Sequence, residues 1–237
     1  MEKTRLNEEK EDHPFTRLRS SDIRGNTSVF YNIPERPDVV VRKSFVNMDD
    51  EKAETASIHE KAEFLHHRLS EFKKIIGRLG IRMAKTDYLI GRDPERDRPV
   101  IFGVTERIEG KSLEDMTVLD KETAEKADGV YAKIIFDLFN SYKENSYFWS
   151  DPKNAQFIFG KTKEDEKPEV YLVDVDPDII DWSSVSEDSK EHVFWNRLFI
   201  LLSQIETLEE KTYEKGYRFK KSREAIDTIK GELFALP

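Results

Sequence analysis

The sequence contains no cysteine. That absence excludes a disulfide framework, a thiol nucleophile and every metal site built on cysteine ligands. The sequence also has no apolar run of about 18 residues, the length that a membrane-spanning helix needs. The first residues, 1–13, are charged and have no apolar stretch, so we do not expect a secretory signal there. Together these absences predict a soluble, cytoplasmic protein that makes no use of a membrane.

The 237 residues are enough for one globular unit, which can be divided into two lobes. Although 37% of the residues are charged, 26 aromatic side chains argue against general disorder. Residues 1–107 contain 21 basic and 20 acidic side chains, a net charge of +1, whereas residues 108–237 contain 18 and 28, a net charge of −10. An acidic second half is a poor general binder of nucleic acid. The acidic residues of this half could instead bind a cation, or they form a solvated acidic surface.

Local patterns predict the order of the secondary structure elements. Strands are expected at 28–32, 38–45, 86–90, 99–107, 156–159 and 170–173. Helices are expected at 51–79, 121–142, 191–209 and 223–234. Strands that are segregated from most of the helices indicate an α+β fold rather than an alternating α/β fold.

A domain boundary is expected at 108–112, where the polar Glu109-Gly110-Lys111 interrupts an apolar run. The expected organisation is a frayed tail (1–19), a strand-rich N-lobe with one long helix (20–107) and a mostly helical C-lobe (108–237).

A lysine lies within an apolar strand pattern, in the segment VVVRK that ends at Lys43. Strand alternation places Val39, Val41 and Lys43 on one face, and Val40 and Arg42 on the other. A lysine that shares a face with valines is half-buried and needs a partner or an anionic ligand. The alternative is a surface lysine whose aliphatic stem lies along the strand while its ammonium stays in water.

The segment DPKNAQFIF combines three polar groups just before an apolar strand. Asp151 can accept a proton from a hydroxyl group, and Lys153 can neutralise a phosphoryl group. The amide oxygen of Gln156 can bind Mg²⁺. The alternative is a simple Asp-Pro turn that is capped by Asn154.

The apolar strand 170–173 is followed by alternating aspartates, Asp174 and Asp176. Alternation puts their carboxylates on one face, where they can bind one cation through hard oxygen ligands. The alternative is a strand end with solvated acidic residues.

In this order, the three motifs resemble the protein-kinase-like fold, including its small-molecule branch, the aminoglycoside phosphotransferases. The resemblance covers about residues 20–205 and implies a bilobal fold that binds ATP and Mg²⁺. It implies that Lys43 contacts the nucleotide phosphates and pairs with a helix glutamate. Glu60 is the first choice for that glutamate, with Glu63 and Glu54 as substitutes.

The same resemblance assigns roles in the second half. The run VIFGVTERIEGKSL is similar to the strand and hinge between kinase lobes, which implies that Glu106, Arg107 and Ile108 lie against the adenine. It also implies that Asp151 is the catalytic base and Lys153 a phosphate contact. Finally, it makes Gln156 and Asp174 metal ligands, with Asp176 as the alternative aspartate.

Several motifs depart from the kinase pattern. Residues 22–29 contain one glycine where protein kinases have three in the phosphate-covering loop, and Trp149-Ser150 replace the usual His-Arg. Gln156 replaces an asparagine, and no Phe-Gly or Ala-Pro-Glu follows Asp174. These departures favour a compact kinase-like domain over a regulated protein kinase.

The sequence thus predicts transfer of the γ-phosphate of ATP to a hydroxyl group of a small-molecule or protein acceptor. A catalytically silent kinase-like (pseudokinase) binding module is the alternative. Nine acidic and four basic residues in 151–181 would attract cationic acceptors. A third hypothesis, nucleic-acid binding, is based on the basic and aromatic run 211–223, for which a solvated helix end or linker is the simpler interpretation. Nucleic acid is therefore not expected as a partner.

Overall fold

The computed structural model describes residues 16–17, 30–43, 56–92, 99–173 and 178–234. Its strands are, in chain order, β1 (Thr16–Arg17), β2 (Phe30–Ile33), β3 (Arg36–Lys43), β4 (Arg82–Met83), β5 (Thr86–Arg92), β6 (Pro99–Glu106), β7 (Glu109–Ser112), β8 (Tyr147–Trp149), β9 (Phe157–Lys161), β10 (Glu169–Leu172) and β11 (Ile179–Asp181). Its α-helices are α1 (Ile58–Leu79), α2 (Lys121–Glu144), α3 (Glu187–Glu210) and α4 (Lys220–Phe234).

The first half forms an antiparallel five-stranded sheet in the order β1-β2-β3-β6-β5. Helix α1 connects β3 to the later strands and packs on one face of this sheet. Its contact consists of Ala62, Leu65 and Leu69 against Tyr88 and Ile101. Helix α1 covers one face of the sheet, and Tyr31, Val39 and Phe102 pack together on the opposite face.

Helix α1 has well-defined ends. Ser57 caps its N-terminus, with the Ser57 hydroxyl accepting from the Glu60 amide and the Glu60 carboxylate accepting from the Ser57 amide. Gly80 ends the helix in the left-handed conformation, with φ of 58°, which glycine adopts without steric cost. The apolar stripe between these caps drives the packing of the helix.

A second sheet has the order β4-β10-β9-β7, with β4 parallel to β10 and the other neighbours antiparallel. It joins the segment after α1 to the β9–β10 hairpin and to β7, which follows the first sheet. A two-stranded sheet pairs β8 with β11. Strand β9 begins directly after the loop that carries Asp151, and β10 ends just before Asp174.

The main hydrophobic core lies among α2, α3 and α4, the second sheet and the C-terminal half of α1. Two buried carboxylates attach α4 to this core. Asp128 of α2 accepts from the Lys221 and Ser222 amides at the start of α4. Glu209 of α3 accepts from Arg223 and from the Phe219 amide.

The predicted α+β fold is confirmed by this arrangement, and the four helices lie close to the expected positions. Helix α2 continues to Glu144, beyond the expected end at residue 142, because Asn145 supplies the left-handed C-cap. Strands β1, β4, β7, β8 and β11 were not expected. Residues 51–55, expected as the start of the first helix, lie outside the described residues. Within the described ranges, no helix combines the length and apolar character required to cross a membrane.

Candidate functional site

The loop between β8 and β9 carries the predicted catalytic residues. The Lys153 ammonium lies 2.6 Å from a carboxylate oxygen of Asp151, and the Asp151 side chain is 28% exposed. The Gln156 Oε1 atom accepts from the Lys153 amide at 2.7 Å, which closes a short 3₁₀ turn (Asn154–Gln156). The loop therefore brings together a partly shielded carboxylate, an ammonium group and an amide side chain.

Buried Asn154 attaches this loop to two helices. Its Oδ1 atom accepts from the Tyr131 hydroxyl of α2 at 2.6 Å. Its backbone amide donates to Gln204 Oε1 of α3 at 2.9 Å, and its side-chain amide donates to the Gln204 carbonyl at 3.1 Å. Burial raises the pKa of Tyr131 above its usual range, so the hydroxyl stays protonated and donates this hydrogen bond. Asn154 fixes the loop instead of merely capping a turn.

The β9–β10 hairpin places the end of β10 beside this loop. The Val173 amide donates to the Gln156 carbonyl at 2.9 Å. Asp174 is the next residue in the chain, and both Asp174 and Asp176 lie outside the described residues. At residue 178 the chain again adjoins the loop, because the Asp178 carbonyl accepts from the Ser150 amide at 2.8 Å. The residues on both sides of the acidic segment 174–177 thus contact the Asp151 loop.

Of the three predicted hinge residues, Ile108 lies close to these elements. Ile108 packs in a small apolar cluster with Ile158 of β9, Val173 and two other side chains. The amides of Glu106 and Arg107 donate to the carbonyls of Lys85 and Asp38, both at 2.8 Å. The Arg107 side chain turns back to the Asn32 side chain and the Val39 carbonyl. Within the described residues, the Ile108 amide is the one amide of these three that donates no hydrogen bond.

The register of the five-stranded sheet separates Lys43 from helix α1. Lys43 pairs with Phe102, which pairs with Leu89, so these residues share the face opposite to the helix. Arg42 pairs with Gly103, which pairs with Tyr88 on the helix-covered face. Sequence alternation correctly separated Lys43 from Arg42. The structure adds that Arg42 is the cation on the side of α1.

The structure places Glu60 at the N-terminus of α1, where its carboxylate completes the cap with Ser57. These hydrogen bonds lower the pKa of Glu60. Among the described residues no ion pair joins Lys43 to Glu60, since the strand carries Lys43 on the other face of the sheet. Glu63 is exposed on α1, and Glu54 lies outside the described residues. The glutamate partner stays a prediction.

A cavity of about 390 Å³ lies between the first sheet and the 162–168 loop. Its lining includes Val39, Val104, Glu106, Arg107 and Glu164. This cavity lies at the tip of the β9–β10 hairpin, whereas the Asp151 loop precedes β9 at the other end of the hairpin. The cavity contains none of the motif residues of that loop, so it is not the candidate reaction site.

Three of the six basic side chains in the run 211–223 form contacts within the fold. Lys211 donates to the Glu114 carbonyl at 2.6 Å. Arg218 and Arg223 both bind the carboxylate of Glu209. Because these three cations already have internal partners, the structure adds no support for nucleic-acid binding by this run.

Neither the scan against protein-family models nor the search of curated proteins finds a match for this chain. The described residues contain no group of three or more histidine, aspartate or glutamate side chains that could hold a metal ion. Asp174 and Asp176, the predicted metal ligands, are not among them.

The structure also reveals residues that the motifs did not indicate. Arg42 was placed correctly on its strand face, but no sequence pattern showed which face receives α1. From the sequence, Asn154 was expected only to cap a turn, whereas the structure shows it bound to Tyr131 and Gln204. Arg197 of α3 had no assigned role, yet it donates to the Ser150 carbonyl at 3.2 Å. Its position 47 residues after Ser150 gives no local sequence signal.

Proposed function

We propose that the chain is an ATP- and Mg²⁺-dependent phosphotransferase with a bilobal kinase-like arrangement. The observation that carries this proposal is the contact of the Asp151 loop with both sides of the acidic segment 174–177. The hydrogen bonds from Val173 to Gln156 and from Ser150 to Asp178 support a candidate base and candidate metal ligands at one location. The five-stranded sheet with its single packed helix supports the N-lobe of this proposal.

The residues present fit the chemistry of such a site. Asp151 would accept the proton of the acceptor hydroxyl, and Lys153 would move from Asp151 to the transferred phosphoryl group. Gln156 and Asp174, or Asp176, offer the hard oxygen ligands that Mg²⁺ prefers. A bound Mg²⁺ would neutralise negative charge on the phosphates. Because the Ile108 amide has no acceptor among the described residues, it would donate to the adenine.

For the phosphate contact on the first sheet we favour Arg42 over Lys43. The resemblance implies a cation that pairs with a glutamate of the following helix, which places it on the sheet face that α1 covers, and the register puts Arg42 there. Arginine presents a planar guanidinium that binds phosphate through two parallel hydrogen bonds. Gly103 stands beside Arg42 on β6, so no side chain from that residue blocks the approach of a ligand.

Calorimetric titration with ATP tests the proposal, with and without Mg²⁺. We expect the wild-type protein to bind ATP more tightly with Mg²⁺ present. Asp174→Asn should lose the Mg²⁺-dependent part of the affinity, because an amide is a weaker Mg²⁺ ligand than a carboxylate. Asp227→Asn on the exposed side of α4 is the matched control and should behave as wild type. Unchanged Mg²⁺-dependent binding in both Asp174→Asn and Asp176→Asn would contradict the proposal.

A silent kinase-like module is the second candidate, and the loop geometry favours it in one respect. Asp151 is paired with Lys153, and Gln156 Oε1 is bound to the Lys153 amide. Both interactions must rearrange before phosphate transfer. ATP binding without release of phosphate, and without phosphorylation of any acceptor in a panel of sugars, amino sugars and basic peptides, would support this module.

A further inference from the structure

Arg197 occupies an unusual position on α3. The residue is partly buried, and its Nη1 atom donates to the Ser150 carbonyl at 3.2 Å. Its Nε atom is buried and makes no hydrogen bond within the described part of the chain. Ser150 directly precedes Asp151, so this guanidinium lies beside the candidate catalytic loop.

The charge of Arg197 is not neutralised by any carboxylate in the described ranges. Other arginines of the same core differ in this respect. Arg78 lies 2.7 Å from Asp137, and Arg218 and Arg223 lie 2.7 and 2.6 Å from Glu209. A partly buried cation whose hydrogen-bond partner is a neutral carbonyl is costly for the folded state. Such a cost is characteristic of groups that are kept for binding or catalysis.

The helix holds this guanidinium in a fixed place. Gln204, two turns along α3, binds both the amide and the side chain of Asn154 in the same loop. Arg197 and Gln204 therefore fix the loop at Ser150 and at Asn154, on either side of Asp151. A ligand that reaches Asp151 then comes close to the Arg197 guanidinium.

We propose that Arg197 is the binding residue of an anion subsite beside Asp151, and that the subsite takes an oxyanion group such as a phosphate. The Nη donors of Arg197 that the Ser150 carbonyl does not use suit the tetrahedral oxygens of phosphate. The location of the subsite rests on the proposed function, but binding of the anion does not require phosphate transfer. The group belongs either to the acceptor or to the nucleotide.

Inorganic phosphate is the probe for this subsite, measured by calorimetry and by its effect on the thermal midpoint. We expect saturable binding to the wild-type protein, at least tenfold weaker binding to Arg197→Gln, and intermediate binding to Arg197→Lys. Lys133→Gln is the matched control, because Lys133 also donates to a carbonyl, that of Gly80. It should bind phosphate as the wild type does.

Thermal unfolding without ligand separates binding from a purely structural role. A glutamine at position 197 removes the uncompensated charge, and its shorter side chain also gives up the Nη1 hydrogen bond to the Ser150 carbonyl. Because the two effects oppose each other, we expect the thermal midpoint of Arg197→Gln without phosphate to lie close to that of wild type, and the stabilisation that phosphate gives to be lost. Equal phosphate affinity in wild type and Arg197→Gln would overturn the inference, and so would no saturable binding to the wild type. If Arg197→Gln does not fold, the comparison of phosphate affinity between Arg197→Lys and wild type tests the inference, and equal affinities would overturn it.

The source of the oxyanion is tested with a non-hydrolysable ATP analogue and Mg²⁺. Competition between the analogue and phosphate would assign the subsite to the terminal phosphate of the nucleotide. Simultaneous binding would assign it to an anionic group of the acceptor. If the analogue does not bind while phosphate binding depends on Arg197, the phosphotransferase proposal fails and the anion subsite stands.

Discussion

Gly110 and Gly160 face each other across β7 and β9 so closely that neither can carry a side chain. A Cβ atom on Gly110 would lie 2.2 Å from the Phe159 carbonyl oxygen, and one on Gly160 would lie 2.5 Å from the Glu109 carbonyl oxygen. Strand β7 follows the predicted hinge and β9 follows the Asp151 loop. The two glycines therefore set the separation between these two parts of the candidate site.

Replacing Gly110 by alanine should separate the two strands. The backbone atoms cannot move aside cheaply, so we expect Gly110→Ala to lower the free energy of unfolding by about 1–3 kcal/mol. Urea denaturation measures this change. Gly77→Ala is the control, because a Cβ at that position in α1 meets no atom within 4 Å. It should raise the free energy of unfolding by about 0.5–1 kcal/mol, since alanine favours helix. Equal effects of the two substitutions would contradict the close approach.

Arg42 and Lys43 provide a direct test of which sheet face binds the nucleotide. We expect Arg42→Gln to weaken Mg²⁺-ATP binding at least tenfold, whereas Lys43→Gln changes it less than twofold. The reason is the register, which puts Arg42 on the face of α1 and Lys43 on the opposite face. Titration with a fluorescent ATP analogue measures both affinities. A larger loss in Lys43→Gln would restore the lysine assignment made from the sequence.

The buried Glu209 carboxylate should be important for the attachment of α4. Burial raises its pKa, but hydrogen bonds from Arg223, the Phe219 amide and Arg218 lower it overall. Glu209→Gln keeps one acceptor oxygen but removes the negative charge and replaces the other oxygen with an NH2 donor, which cannot accept from the arginines. Because Arg218 and Arg223 are partly exposed, water can compensate in part. We expect a loss of about 2–3 kcal/mol in the free energy of unfolding. The neighbouring exposed Glu210→Gln is the control in the same urea experiment and should change it by less than about 0.5 kcal/mol.

The lowered pKa of Asp165 should make the stability of the folded protein depend on pH. Hydrogen bonds from the Tyr171 hydroxyl, the Thr162 amide and Arg82 hold the pKa of this carboxyl well below its usual range. A carboxyl whose pKa is lowered by folding stabilises the protein fully above the unfolded-state pKa, about 3.9. That stabilisation is lost as the pH falls below this value.

We expect the thermal midpoint of the wild-type protein to fall between about pH 4.5 and pH 2.5 more steeply than that of Asp165→Asn. The amide side chain of this variant cannot titrate, so its contribution does not vary with pH. Differential scanning calorimetry at several pH values measures the two slopes. Parallel slopes would show that Asp165 is not held by these hydrogen bonds in solution.

The helices and the α+β class follow from the sequence because apolar spacing and capping residues are local signals. The short strands β8 and β11 do not follow, because each has three residues and its partner lies about 30 positions away. Such pairing depends on the packing of the elements between them. The separate two-stranded sheet was therefore less predictable than the five-stranded sheet.

The choice between Arg42 and Lys43 could not be predicted from the sequence. Strand alternation separates the two cations, but both faces of β3 carry valines. Neither face is marked as the one that receives α1. That choice is made by Tyr88 and Ile101 on other strands, which supply the apolar surface for the helix.

The anchoring of Asn154 has a consequence for hydrogen exchange. Its amide belongs to a loop residue, yet it is bound to Gln204 of α3, and its side chain is bound to Tyr131 of α2. Exchange at this amide requires release of the loop from both helices and not only local fraying. The Asn154 amide should therefore exchange at a rate closer to that of the helix core than to that of neighbouring loops, so that its protection reports on the packing of α2 and α3.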